Sequence, residues 1–152
     1  MKWISHKLTS FSIYYTLSED PIRSLIASTS SILPDTIELG PGKLIFRKHR
    51  GVSHNPLLWI FALPILFGLF KKHYPILQLP FIPTPEAFFL AIASGIALHL
   101  ITDALSGSDI PLIGNKRISL KLYKTFTLSE FIIVSIILAF CAAGLVLRRS
   151  FL

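Results

Sequence analysis

A chain of 152 residues has room for one compact domain and hardly for two. At 52% hydrophobic residues and a mean hydropathy of +0.64, it departs from an ordinary soluble domain and points to a small membrane protein. Only 15% of residues are charged, yet the net charge is +7, so the basic surface suits anionic lipid better than nucleic acid, for which no recognition motif is present. The single cysteine, Cys141, excludes a disulfide framework and a paired-cysteine zinc site.

Residues 1–17 begin polar, with Lys2 and Lys7, and become apolar and aromatic. They lack the apolar core and cleavage site of a secretory signal, so no removable leader is expected. Ser18-Glu19-Asp20-Pro21 reads as a turn into a helix start, since proline suits the first helical turn. Residues 22–33, rich in Ser, Ala and Ile, form a second helix whose small side chains permit close packing. Pro34-Asp35 is expected to end it. Each segment is about 17–20 Å long as a helix, short of the roughly 30 Å core of a bilayer. They read as a helical hairpin packed against longer helices.

Residues 36–55 form a polar loop with Gly40-Pro41-Gly42 and the basic cluster Arg47-Lys48-His49-Arg50. Pro56 opens an apolar segment, 57–70, which Lys71-Lys72-His73 closes. Residues 74–85 hold four prolines and are expected to be an irregular interfacial connector. Residues 88–105 form the clearest spanning helix. A second basic loop, 106–129, leads to the last apolar helix, 131–147, stopped by Arg148-Arg149. The expected architecture is a single all-α domain over residues 1–152, a membrane bundle of a short hairpin plus three apolar helices.

If the hairpin enters and returns and the later helices cross in turn, His6, Asp35, His49, His54, His99 and Asp103 fall on one side. So do Lys2, Lys7, Lys43, Arg47, Lys48, Arg50, Lys116, Arg117, Lys121 and Lys124, ten of the fifteen Lys and Arg residues. That excess places this side in the cytoplasm.

Four of the five histidines and two aspartates thus converge by topology. His99 and Asp103, four apart, share one face of a helix. They can be a hydrogen-bonded pair or a metal-binding pair; an imidazole and carboxylate at this spacing can share one ion. Imidazoles with carboxylates and no thiolate suit Zn²⁺ or a related divalent metal, as one or two ions. Such an ion activates water for hydrolysis, and the basic residues alongside can hold phosphate oxygens. His6, His49, His54 and Asp35 each have a plainer reading as loop or helix-end residues. Their coincidence on one face favours the metal reading.

His49-Arg50-Gly51-Val52-Ser53-His54 and His99-Leu100-Ile101-Thr102-Asp103, followed by Gly107 and Pro111, resemble the signatures of a bacterial family. That family comprises membrane-bound, predicted metal-dependent hydrolases, also described as LexA-regulated inner-membrane hydrolases. Leu33-Pro34-Asp35, the early His6 and the basic segment 117–125 with Glu130 extend the resemblance over nearly the whole chain. Ser53 replaces a commoner threonine, and Asn55 stands where serine is usual. The resemblance implies a multi-pass protein of the bacterial inner membrane, with His6, Asp35, His49, His54, His99 and Asp103 as metal ligands. It implies Arg50 as a substrate-facing or supporting residue and Glu130 as a supporting or proton-transferring one. The order of ligands is also loosely similar to that of the zinc-dependent phospholipase C and P1 nuclease group, which implies a phosphoester or phosphodiester substrate, most naturally a phospholipid. The later His and Glu pair of that group is absent. The alternative is a non-enzymatic inner-membrane stress-response scaffold or metal-binding protein using the same residues.

Overall fold

Helix α1 (Trp3–Ser18) ends where Glu19 turns left-handed at φ 52° and its amide donates back to the Tyr15 carbonyl. Asp20 then caps α2 (Pro21–Ser30), accepting from the Arg23 amide at 2.9 Å, with Pro21 in the first turn as expected. The structure is a computed structural model that describes residues 1–39, 50–77, 84–107, 109–112 and 116–151.

Pro34-Asp35 does not end helical structure. It opens a further helix, α3 (Leu33–Leu39), with Asp35 in the first turn. Proline fits there because the N–H it lacks has no helical partner in any case, and the helix dipole favours a carboxylate. The first part of the expected polar loop is therefore helical. Residues 40–49, with His49, lie outside the described residues, and Val52–His54 form one 3₁₀ turn.

Three helices are long and apolar enough to cross a membrane: α4 (Pro56–Leu77), α5 (Pro85–Leu105) and α6 (Leu128–Ser150). Helix α4 runs past its expected end, through Lys71-Lys72-His73 and Pro75. A proline removes one amide donor without forbidding a helix that other contacts support. The rest of the proline-rich connector, 78–83, lies outside the described residues. Helix α5 starts at a cap in which Thr84 accepts from the Ala87 amide at 3.1 Å.

Helix α5 is the centre of the bundle; α1, α2, α3 and α4 all pack on it, and α6 packs on α1. In its apolar span 39% of residues are buried, against 6% for α4 and 11% for α6, so those two turn most of their apolar surface outward. Phe61, Ile65 and Phe140 are among the side chains exposed this way, as hydrocarbon permits and water disfavours. Helices α2 and α5 meet at Gly95, where a Cβ would overlap the Ala27 carbonyl and the Ser30 hydroxyl. Ser30 Oγ donates to the carbonyls of Ala27 and Ile92, at 3.1 and 3.3 Å, tying the helices together.

Between α5 and α6 the chain forms a two-residue antiparallel pairing of β1 (Ile110–Pro111) with β2 (Arg117–Ile118). It then returns to the end of α5. The amides of Leu120 and Leu122 donate to the carbonyls of Ala104 and Leu105, at 2.8 and 2.9 Å. These bonds satisfy carbonyls that a helix end leaves open.

Gly95→Ala is expected to destabilise the bundle by roughly 3 kcal/mol, since the extra methyl meets backbone rather than a flexible side chain. Gly68→Ala, where nothing lies within 4 Å, is expected to be neutral or to stabilise by up to about 1 kcal/mol. Unfolding midpoints of the two variants in detergent check this.

Candidate metal centre

Five segments deliver side chains to one buried point. His6 comes from the first turns of α1, and Asp35 and Glu38 from one face of α3. Arg50 and His54 come from the loop and 3₁₀ turn, and His99 and Asp103 from the last turns of α5. His6, His54, His99 and Asp103 are each at most 1% exposed. Polar groups buried this deeply persist only when partnered.

The inner atoms are close. His54 Nε2 lies 3.1 Å from His99 Nε2, 3.2 Å from Asp35 Oδ1 and 3.5 Å from Asp103 Oδ2. His99 Nε2 lies 3.8 Å from Asp35 Oδ1 and 3.6 Å from Asp103 Oδ2. Donors in a tetrahedral metal site with bonds of about 2.0–2.2 Å are separated by roughly 3.3–3.6 Å. The observed spacings bracket that range. His54, His99 and Asp103 form one such group, and His6, Asp35 and His99 form a second. The His6 ring stacks on His99 at 4.0 Å between centroids, and His6 Nε2 faces Asp103 Oδ1 at 3.4 Å. His99 Nδ1 has no hydrogen-bond partner among the described residues, and His6 Nε2 has only its long contact to Asp103. Three imidazoles converging with two carboxylates, donor atoms 3.1–3.8 Å apart, form a set that could hold a metal ion.

The surroundings fix the orientation of each donor. Asp103 Oδ1 accepts from Arg50 Nη2 at 2.9 Å and from the α-amino group of Met1 at 3.0 Å, which leaves Oδ2 facing His54 and His99. Arg50 Nη1 also donates to Ser106 Oγ at 3.1 Å, and Arg117 reaches the Arg50 carbonyl at 3.2 Å. Thr102 Oγ1 pairs with His6 Nδ1 at 3.0 Å. Glu38 Oε1 lies 3.1 Å from His54 Nδ1 and accepts from Ser53 Oγ at 2.8 Å and from the Gly51 amide at 2.6 Å. Its other oxygen accepts from the Arg50 amide at 2.8 Å, so one carboxylate holds both the loop and the outer edge of His54. Arg50 itself sits at φ 59°, a conformation this network holds in place.

Electrostatics follow burial and partners. Burial drives the His6 pKa below the usual imidazole value, outweighing the hydrogen bond to Asp103, so the ring is neutral and available as a donor. Burial alone would raise the Asp35 carboxyl. The His54 hydrogen bond and the charges of His99 and His54 outweigh it and hold the pKa below the usual carboxylate range. Glu38 is likewise raised by burial but held low by Ser53 and the Arg50 and Gly51 amides.

Of the residues expected at the site, His6, Asp35, His54, His99, Asp103 and Arg50 come together. His49 lies outside the described residues. Glu130 is buried, but its oxygens accept from the Lys2 and Phe126 amides at 2.7 and 2.8 Å, so it pins the start of α1 to the start of α6. Glu38 was not expected. It lies three residues after Asp35, a spacing that places both on one face only if the segment is helical; read as a loop, it gives no such signal. The chain matches no family model, no curated protein and no solved structure.

Glu38→Gln is expected to weaken divalent metal binding by about 10–100-fold, because the partner orienting His54 is lost. Glu130→Gln is expected to leave metal affinity unchanged while lowering stability by about 1–3 kcal/mol, since one buried amide loses its acceptor. Competitive metal titration alongside thermal unfolding separates the two effects.

Proposed function

We propose that the protein is a membrane-bound, metal-dependent hydrolase acting on a phosphoester or phosphodiester carried by a lipid. The observation that carries this reading is the meeting of His54, His99, Asp35 and Asp103, at spacings of 3.1–3.8 Å, at the end of a membrane-spanning helix. Imidazole and carboxylate donors without thiolate suit Zn²⁺. These four residues would hold one ion, and His6 with Asp35 and His99 offers a second position. A bound divalent ion supplies Lewis acidity and makes water a nucleophile at neutral pH. Arg50 keeps Asp103 Oδ2 turned inward, and Glu38 keeps His54 Nε2 turned inward. Glu130 is assigned an anchoring role rather than proton transfer, because backbone amides engage both its oxygens.

A lipid substrate is supported by an apolar groove of about 320 Å³ between α4 and α5, lined in part by Leu33, Trp59, Leu63, Phe88 and Ile96. Ile96 of this groove lies one turn before His99 on α5, which puts the groove on the same helix as the centre. The resemblance of segments 49–54 and 99–103 to the LexA-regulated inner-membrane hydrolases supports the same activity and a bacterial inner membrane. The excess of Lys and Arg on the side of the centre supports a cytoplasmic site.

One observation favours a second reading, a non-enzymatic metal-binding protein. His54 and His99 are 0% exposed, the closed surroundings of a structural metal site. The purified protein is expected to retain divalent metal and to hydrolyse phospholipid or a soluble phosphodiester. Asp103→Asn and His54→Ala are expected to lose both by more than the roughly 10–100-fold of an outer-shell change. Wild type without metal contradicts the centre itself. Metal without hydrolysis across a panel of lipid and soluble phosphoesters contradicts the enzyme and leaves the closed-site reading.

A further inference from the structure

A second cavity, of about 520 Å³, opens between the stretch after β2 and the start of α6. It is lined by Gly107, Thr125, Ser129 and the run from Lys121 to Lys124. None of these is a donor of the metal centre. Both lysines are exposed, and neither ammonium has a carboxylate partner among the described residues. The nearby carboxylate of Glu130 is buried and bound to backbone amides.

The rim of the cavity is apolar. Leu120 is 60% exposed, Leu122 61%, Phe126 74% and Leu128 73%. Lys2 Nζ lies over the rings of Phe126 and Phe131 at 5.3 and 5.4 Å, extending the alternation of cation and apolar surface. This loop joins the end of one membrane-spanning helix to the start of the next, so it lies at a membrane face. Exposed leucines and phenylalanine interleaved with lysines match the boundary between headgroups and acyl chains, where one end of a ligand is anionic and the other apolar.

We propose that this cavity binds an anionic phospholipid, its phosphate held between Lys121 and Lys124 and its acyl chains lying against Leu122, Phe126 and Leu128. The site is separate from the metal centre and does not rest on the hydrolase reading. It anchors the loop whose other contacts, Tyr123 Oη to the Thr102 carbonyl and Ser119 Oγ to the Ser106 carbonyl, brace the end of α5 that carries His99 and Asp103.

The test is native mass spectrometry of the full chain in detergent, titrated with phosphatidylglycerol, phosphatidylcholine and inorganic phosphate. Wild type is expected to bind phosphatidylglycerol about tenfold more tightly than phosphatidylcholine. The double variant Lys121→Gln/Lys124→Gln is expected to lose that preference, and Lys121→Arg/Lys124→Arg to keep it. Lys71→Gln/Lys72→Gln, on the other face of the bundle, serves as a charge-matched control and is expected to keep it too. Equal affinity of wild type for the two lipids overturns the proposal, as does an undiminished preference in the double Gln variant. Displacement of the lipid by inorganic phosphate alone assigns the cavity to free phosphate and also overturns it. Unchanged helical circular dichroism in the double variant separates lost binding from lost fold.

Discussion

Two carboxylates, Asp35 and Asp103, are held among three imidazoles where the long apolar helix α5 ends, and the rest of the structure is arranged around compensating them. Burying an uncompensated carboxylate costs several kcal/mol even after relaxation. Asp103 is met by Arg50 and the Met1 amino group on one oxygen and by His54 and His99 on the other. Among the described residues Asp35 has no arginine or lysine partner and faces the imidazoles of His54, His99 and His6. That asymmetry leaves room for a cation between the two carboxylates, which is the physical basis of the metal reading.

The supporting residues divide into two kinds. Glu38, Arg50 and Thr102 orient the donors themselves. Glu130 and the loop after β2 hold the helices that carry them, through the amides of Lys2 and Phe126 and the carbonyls of Ala104 and Leu105. Gly95 acts at greater range, setting the distance between α2 and α5 and hence how α1 and α3 are delivered to the end of α5. A centre built from five segments is sensitive to each of these contacts, because a donor displaced by 1 Å no longer lies within one coordination shell.

Much of this was legible in the chain because its signals were periodic or local. The apolar runs that became α4, α5 and α6 are long and apolar enough to cross a membrane, and this was readable from their length and composition. The His99–Asp103 spacing puts both side chains on one face of a helix. The Asp20-Pro21 pair announced its turn. Two features were lost to proline: Pro34 was read as a stop and the proline-rich 74–85 as irregular, yet Pro34 opens α3 and Pro75 lies inside α4. With α3 missed, the pairing of Asp35 with Glu38 on one face was invisible. Glu130 was read as a supporting or proton-transferring residue, not as an anchor. Its partners are backbone amides of residues 2 and 126, and no side-chain pattern reports those.

The central claim is that His54, His99, Asp35 and Asp103 form one coordination shell. X-ray absorption spectroscopy of the zinc-loaded full chain tests it most directly. The account predicts a nitrogen and oxygen shell at about 2.0–2.2 Å with the outer-shell scattering of at least two imidazoles and no sulfur. A shell without imidazole scattering, or one containing the sulfur of Cys141, would contradict it.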